Sequence, residues 1–151
     1  ARALARFYNG LSEASRRTFR PLGWETTVEA CDKVVEGNET GTKYDLVAVL
    51  DRGLGGEAEI VGWGFVWDVG SEKPNLGLGI ADACHGRGLG GALIDRVLGD
   101  VRGMGLRQVY LIVVQDNHVA YGLYERRGFV RYGERVGEDG LAYYRMVAQL
   151  Q

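Results

Sequence analysis

The chain has 151 residues, the size of one typical domain, and its 46% hydrophobic and 25% charged residues are ordinary for a globular protein. Its 18 basic and 20 acidic residues give a net charge of −2, which argues against nucleic acid as a partner, because nucleic-acid-binding domains usually carry a basic excess. No apolar stretch approaches the roughly 20 residues of a membrane span and no signal peptide is visible, so no membrane is expected as a partner either.

Cysteine and glycine usage is informative. The two cysteines, Cys31 and Cys84, are too few for a disulfide framework, and no C-x-x-C motif occurs. This usage favours a reducing, cytoplasmic location, and we expect no metal. Glycine is unusually frequent, with 24 residues, about twice its average share of roughly 7%. Six of these glycines lie between positions 77 and 91, a segment that is considered below.

The first forty residues have helical periodicity. Apolar side chains recur at three- and four-residue spacing from Leu4 to Phe19, which predicts one helix that ends before Pro21. A second helix is predicted from about Thr27 to Glu36, with Gly37 as its terminating residue.

Three strands are predicted next, because the apolar and β-branched residues alternate with a period of two. They cover Tyr44–Leu50, Ile60–Asp68 and Leu76–Ile80. A glycine-rich hairpin loop is predicted at 51–57. Trp63, Phe65 and Trp67 share one face of the second strand, where they form either part of the core or an aromatic wall for a cationic amine.

The C-terminal half alternates helices and strands. The predicted elements are a helix over Gly88–Met104, a strand over Val109–Val114, a helix over His118–Arg127, and strands over Phe129–Val136 and Leu141–Val147. A strand, a crossover helix and a second strand form a parallel pair, whereas the first three strands form an antiparallel meander. The fold class is therefore α/β: a single domain over residues 1–151 with a mixed, mostly antiparallel sheet, one parallel pair and flanking helices.

A strand, a short loop and a helix meet at the glycine cluster, in the segment from Ile80 to Leu93. The first N–H groups of a helix have no internal partner and carry partial positive charge, so they bind anions. Glycines such as Gly86 and Gly88 let phosphate oxygens approach the backbone, and Arg87 adds a charged donor. The pattern predicts a phosphate-binding loop.

The same glycines match another motif. Gly86, Gly88 and Gly91 fit the G-x-G-x-x-G pattern of dinucleotide-binding folds, and Asp116 follows the next strand as a ribose-binding acid would. However, Gly86 comes six positions after Ile80, and only one β-α-β unit is predicted where that fold has two halves. A dinucleotide-binding enzyme and a tight turn without any ligand remain as alternatives.

Two sequence blocks resemble the GNAT superfamily of N-acetyltransferases. The segment 85–93 (HGRGLGGAL) is similar to its pyrophosphate loop, Q/R-x-x-G-x-G/A, with His85 in place of Gln or Arg. The segment 117–129 (NHVAYGLYERRGF) is similar to its N-x-x-A-x-x-L-Y-E-x-x-G-F block. The resemblance covers about residues 44–147 and implies an acetyl-CoA-dependent acyltransferase fold. The first strand usual in that family is not found before Leu4.

The resemblance implies a role for each matched position. The backbone of Ile80 and Asp82 would pair with the pantetheine arm, and the amide of Ile80 or Ala81 would face the thioester oxygen. Asn117 would bind pantetheine or face the acceptor, besides capping its helix, and Tyr124 would be the general acid. The pyrophosphate would be held by the loop residues His85, Gly86, Arg87, Gly88, Leu89, Gly90 and Gly91.

The acceptor and the general base are less defined. The strand before the loop carries no carboxylate, which leaves Asp68, Glu72, Asp116 or bulk water to deprotonate the amine. Gly77 and Gly79 are expected to leave space beside the strand for the acceptor, a small-molecule or protein amine. A non-catalytic acyl-CoA-binding module is an alternative, because no base is evident. A homodimer formed along the final strands is also considered.

Overall fold

The computed structural model of the chain describes residues 1–51 and 58–151, so the predicted hairpin loop lies, beyond Asp51, outside the described residues. The helices are α1 (Arg2–Asn9), α2 (Glu13–Thr18), α3 (Val28–Thr40), α4 (Leu89–Gly103) and α5 (His118–Glu125). The strands are β1 (Lys43–Leu50), β2 (Glu59–Trp67), β3 (Asn75–Ile80), β4 (Gln108–Val114), β5 (Val130–Val136) and β6 (Ala142–Gln149). Within the described ranges, no helix has the length and apolarity needed to cross a membrane.

The six strands form one mixed sheet. Their order is β1-β2-β3-β4-β6-β5, and every neighbouring pair is antiparallel except β3 and β4, which are parallel and joined through α4. The predicted fold class and its single parallel pair are confirmed. The strands and helices after position 43 lie within about two residues of the predicted bounds, since their periodicity and their turn signals agree.

The predicted single helix from Leu4 to Phe19 is wrong. The structure has two helices there, because the chain leaves the helix at Gly10 and the hydroxyl of Ser12 accepts a hydrogen bond from the Ser15 amide, which starts α2. A serine N-cap stabilises such a new start even where the apolar periodicity is continuous. The apolar residues at this spacing lie in α1 and on both sides of α2, at Leu11 and Phe19.

The predicted end of α3 at Gly37 is also wrong. The helix continues to Thr40 and ends at Gly41, which has the left-handed conformation of a terminating glycine (φ +81°). Gly37 serves packing instead, because a Cβ there would lie 2.5 Å from the Lys43 side chain. The ammonium of Lys43 sits 3.7 Å from the centre of the Trp67 ring.

Two hydrophobic clusters fill the two faces of the sheet. On one face α4 and α5 cover the central strands, with Ile94, Val97, Leu111 and Met146 fully buried. On the other face an aromatic cluster joins the N-terminal helices to β2, and its rings pack edge to face or tilted. Its members include Tyr8, Phe19, Trp63 and Phe65.

The aromatic stripe of β2 belongs to this core. Trp63 and Phe65 are buried, and the indole N–H groups of Trp63 and Trp67 both donate to the carboxylate of Asp45, at 2.6 and 3.1 Å. Burial raises the pKa of Asp45 despite these bonds. The stripe is thus part of the core. Of the two alternatives for these three rings, the core is correct and the aromatic wall for a cationic amine is wrong.

The expected free space at Gly77 and Gly79 is filled. A Cβ at Gly77 would lie 2.1 Å from the Phe65 ring, and a Cβ at Gly79 would lie 2.4 Å from the Phe19 ring. Both glycines therefore admit aromatic rings of the core against β3. The free space expected at the side-chain position of both glycines is therefore occupied by these rings, and this expectation is corrected.

Replacing Gly77 with alanine will destabilise the protein by about 1–3 kcal/mol, because the Phe65 ring is held on its other sides by the aromatic cluster and has little freedom to move. Gly99→Ala is the matched control. It lies in the middle of α4, where a Cβ meets open space, so the change will stabilise the protein by roughly 0.5–1 kcal/mol. Thermal unfolding of both variants measures this, and equal melting temperatures would contradict the tight contact.

Candidate active site between strands β3 and β4

The site lies where the sheet divides. Within the described residues, β3 and β4 are paired in register only at Asn75 and Tyr110, near the start of each strand. The C-terminal ends of the two strands then separate, and parallel sheets characteristically bind ligands at that edge. A cavity of about 690 Å³ opens there, a volume typical of ligand sites. It is lined by α2, the end of β3, the glycine loop and the start of α5.

The end of β3 directs one peptide into the gap. The Ala81 amide donates to the Val61 carbonyl at 2.8 Å, which continues the ladder with β2. Because peptide groups alternate in direction along an antiparallel ladder, the N–H and C=O of Ile80 point away from β2 and towards β4. The Ile80 carbonyl is bonded by the Nε2 atom of His85 at 2.9 Å.

The loop after β3 leads directly into α4. A single 3-10 turn over Asp82–Cys84 is followed by Gly86 and Gly88, both left-handed (φ +75° and +77°) with open space where a Cβ would stand. Gly88 is the N-cap of α4 and offers no side-chain bond to the first turn. The helices α2, α3 and α5, in contrast, are each capped by a side chain. The first amides of α4 are therefore open to an external acceptor.

The remaining loop residues differ from one another. Most of them line the cavity: His85, Gly86, Gly88, Leu89, Gly90 and Gly91. Arg87 is exposed, and its side chain does not line the cavity. Gly91 also makes room for Arg127, because a Cβ there would lie 2.7 Å from that guanidinium. Arg127 in turn donates to Asp95 at 2.8 Å. Part of the glycine pattern therefore reflects helix packing.

Asp82 connects the loop to α2. Its carboxylate accepts from the Ser12 amide at 2.9 Å and from the Ser15 hydroxyl, and the bond from Ser15 lowers the Asp82 pKa. No side chain of α2 itself is buried. This short helix is therefore held over the cavity mainly by polar contacts, while Phe19, immediately after it, anchors the chain in the aromatic cluster.

The start of α5 forms the opposite wall. The Asn117 side chain caps α5 by accepting from the Ala120 amide at 3.3 Å, as predicted, and it also lines the cavity. Tyr124 lies almost two turns further along the helix. It is 7% exposed, its ring is 5.8 Å from that of Phe129, and it is not among the residues that line the cavity. Within residues 1–51 and 58–151 its hydroxyl has no hydrogen-bond partner, and burial raises its pKa to about 12.

Of the three carboxylates considered as bases, only Asp116 lines the cavity. Asp68 and Glu72 lie before β3, at the opposite end of a six-residue strand, which spans roughly 17–20 Å. Asp116 accepts two hydrogen bonds from Arg17, at 3.0 and 2.8 Å, and these bonds lower its pKa. Asp68 and Glu72 are thereby removed as candidates.

Sequence reasoning missed the contribution of α2. Ser15, Thr18 and Phe19 line the cavity, and Arg17 reaches its rim through Asp116. These residues have no recognisable motif, and their partners lie about seventy to a hundred positions away in the chain. Only the N-cap serine could have indicated that a separate helix starts here.

Comparison with known proteins agrees with this geometry. The model of the acetyltransferase (GNAT) family matches residues 12–129. Mycothiol acetyltransferase of Geodermatophilus obscurus is 53% identical over 55 residues, which are 36% of this chain but only 18% of that protein.

Solved structures share the fold over nearly the whole chain. A GNAT-family acetyltransferase from Streptococcus pneumoniae has a TM-score of 0.77 and 22% identity, over 99% of this chain and 92% of its own. Spermidine N-acetyltransferase from Vibrio cholerae, solved with CoA and spermine, has a TM-score of 0.78 and 19% identity, over 99% and 89%. With the family model matching most of its length, the chain belongs to the GNAT family of acetyltransferases.

Proposed function

We propose that the chain transfers the acetyl group of acetyl-CoA to a primary amine, and that the diphosphate of CoA binds the amides of the 86–91 loop. The observation that carries this proposal is the N-terminus of α4. It is uncapped by any side chain and follows two left-handed glycines, Gly86 and Gly88, whose missing side chains leave the approach open. A helix start of this kind is suited to a phosphate anion by charge and by hydrogen-bond direction.

The pantetheine arm fits the gap between β3 and β4. An extended ligand can add to an open strand through backbone hydrogen bonds, and β3 presents the Ile80 peptide there. The Ala81 amide is already bonded to Val61, which leaves the Ile80 N–H as the donor for the thioester oxygen. Because His85 already bonds the Ile80 carbonyl, the arm has to share or displace that contact.

Acetyl-CoA supplies an acetyl thioester, whose C–S bond breaks as the amine nitrogen forms the new C–N bond. The Ile80 N–H donates to the thioester oxygen as negative charge develops on it, and one such donor is typically worth about 3–4 kcal/mol. The Tyr124 hydroxyl donates to the departing sulfur. Asn117 keeps α5, and with it Tyr124, in a fixed position by capping the helix start.

Tyr124 acts as a hydrogen-bond donor rather than by complete proton transfer. Its pKa is raised to about 12, while an ordinary thiol has a pKa near ~8.5. Full transfer would therefore be uphill by about 5 kcal/mol. A hydrogen bond that strengthens as the thiolate forms avoids this cost, and the proton reaches the sulfur from solvent after the bond has broken.

CoA will raise the melting temperature of the protein, and Gly88→Ala will reduce this shift strongly, because a Cβ at φ +77° strains the loop and projects into the diphosphate site. Gly105→Ala is the matched control, since Gly105 is also left-handed (φ +95°) with open space around it, but at the other end of α4. Both variants lose similar stability, and only the control keeps the shift. A wild-type protein that CoA does not stabilise would rule out the proposed site.

Tyr124→Phe will lower kcat by about ten- to a hundred-fold, the value of a hydrogen bond to a charged group, with the Kd of CoA unchanged. Tyr121→Phe is the control on the same helix and will keep wild-type kcat. Thiol release and calorimetric CoA titration measure the two quantities. Wild-type kcat in Tyr124→Phe would remove the hydroxyl from the mechanism, whereas CoA binding without any amine turnover would favour the non-catalytic module.

The rate will rise with pH about tenfold per unit below the pKa of the acceptor. An alkylamine of pKa ~10.4 is neutral in only about one part in a few thousand at pH 7, and the low pKa of Asp116 makes it a poor base while Arg17 is bound. Tyr124 stays protonated well above pH 10, so it contributes no falling limb in this range. A fall in kcat centred between pH 8 and 10 would contradict the assigned Tyr124 pKa.

A further inference from the structure

Two arginine–aspartate pairs lie beside the cavity, and Asp116 is the member of these pairs that lines it. Arg17 binds Asp116 through two hydrogen bonds, and Arg20 binds Asp139, which also accepts from Tyr143. The two pairs are neighbours, because Asp139 and Tyr143 both act electrostatically on the Arg17 guanidinium. The four charges of these two pairs sum to zero.

The Arg17–Asp116 pair is exposed and easily exchanged. Its side chains are 43% and 62% exposed, and ion pairs in water of this kind contribute little to stability. It joins α2, whose own side chains are unburied, to the loop between β4 and α5. An incoming ligand with matching charges therefore replaces the contact at low cost.

This charge pattern discriminates among amines. A polyamine such as spermidine would bring several positive charges towards Arg17 and Arg20, whose partner carboxylates are both already paired. A simple monoamine would occupy Asp116 but leave the displaced Arg17 without a partner. A ligand that carries a carboxylate beside its amine satisfies both members of the opened pair.

Building on the proposed acetyl transfer, we propose that the acceptor is a zwitterion of the amino-acid class, with its carboxylate bound by Arg17 and its amino group bound by Asp116. The planar guanidinium suits a carboxylate because it donates two parallel hydrogen bonds. When Arg17 turns to the ligand, the Asp116 carboxylate is freed to accept hydrogen bonds from the ammonium group of the acceptor. The ammonium releases one proton to solvent, and the neutral amine, still held by Asp116, then attacks.

The first test compares the twenty L-amino acids with their decarboxylated amines and with spermidine, in thiol-release assays with acetyl-CoA. At least one amino acid will exceed its own decarboxylated amine in kcat/KM by about tenfold or more, with spermidine below both. Turnover of monoamines or spermidine without any such preference would overturn the zwitterion and leave the acetyltransferase intact.

If no amine is turned over while CoA still binds, the proposed activity fails. Calorimetric titration of the CoA-bound protein with the same amino acids then tests amino-acid binding without turnover. Saturable binding of an amino acid, and not of its decarboxylated amine, supports the Arg17–Asp116 site. Absence of binding by all twenty would overturn it.

The second test uses Arg17→Gln, Arg17→Lys and, as matched control, Arg96→Gln. Arg96 is an exposed arginine paired with Asp100 on α4, away from the cavity. Arg17→Gln will raise KM for the amino acid about ten- to a hundred-fold with kcat and the KM of the monoamine little changed, and lysine will restore part of the loss. Arg96→Gln will behave as wild type. Equal rises in the KM of the amino acid and the KM of the monoamine would show that Arg17 only holds α2 in place. That result would overturn the proposed zwitterion site.

Discussion

The incomplete pairing of β3 with β4 is the constraint on which the site depends. Buried peptide groups in proteins almost always find partners, yet the Ile80 peptide is directed into a gap that the neighbouring strand has left. Two helices begin at this same edge, because α4 follows β3 and α5 follows β4. An extended ligand placed in the gap would complete the sheet and meet the start of both helices, so the opening of the sheet and the binding chemistry have the same structural origin.

A further wall of the cavity comes from α2, which belongs neither to β3 and β4 nor to the helices that follow them. This short helix covers the gap although none of its own residues is buried. It is positioned on one side by Asp82, on the other by Asp116, and from behind by Phe19 in the aromatic cluster. Elements with few buried apolar contacts are the ones that open most readily in folded proteins. The polar contacts that hold α2 over the cavity are therefore also the ones that break most readily.

Local signals were sufficient to predict most of the fold and the loop and helix start that border the cavity. The strand periods, the glycine loop, the cap at Asn117 and the glycine after α5 are all encoded within a few residues, and each was found in the structure. Predictions that needed distant partners were wrong or were not made. Gly77 and Gly79 were interpreted as free space, because nothing near them in sequence indicates that Phe65 and Phe19 fill it.

The same limit explains why the two arginine–aspartate pairs beside the cavity were not predicted. Arg17 and Asp116 are 99 positions apart, and Arg20 and Asp139 are 119 apart, so neither pairing has a local pattern. One helix predicted over 4–19 would have directed Arg17 along a different axis, whereas the break at Ser12 sets the direction of α2. A capping serine thus decides which charges face the cavity.

Tyr124 differs from three other tyrosines in the hydrogen bonding of its hydroxyl. Tyr8, Tyr44 and Tyr143 each donate their hydroxyl to a protein oxygen, respectively on Gly23, Asp100 and Asp139. Tyr124 is more deeply buried than Tyr44 and Tyr143, and yet its hydroxyl lacks a partner in the part of the chain that is described. For packing against Phe129 alone, phenylalanine would serve as well. The proposed donation to the thioester sulfur would give this hydroxyl an external partner, which Tyr8, Tyr44 and Tyr143 already have within the protein.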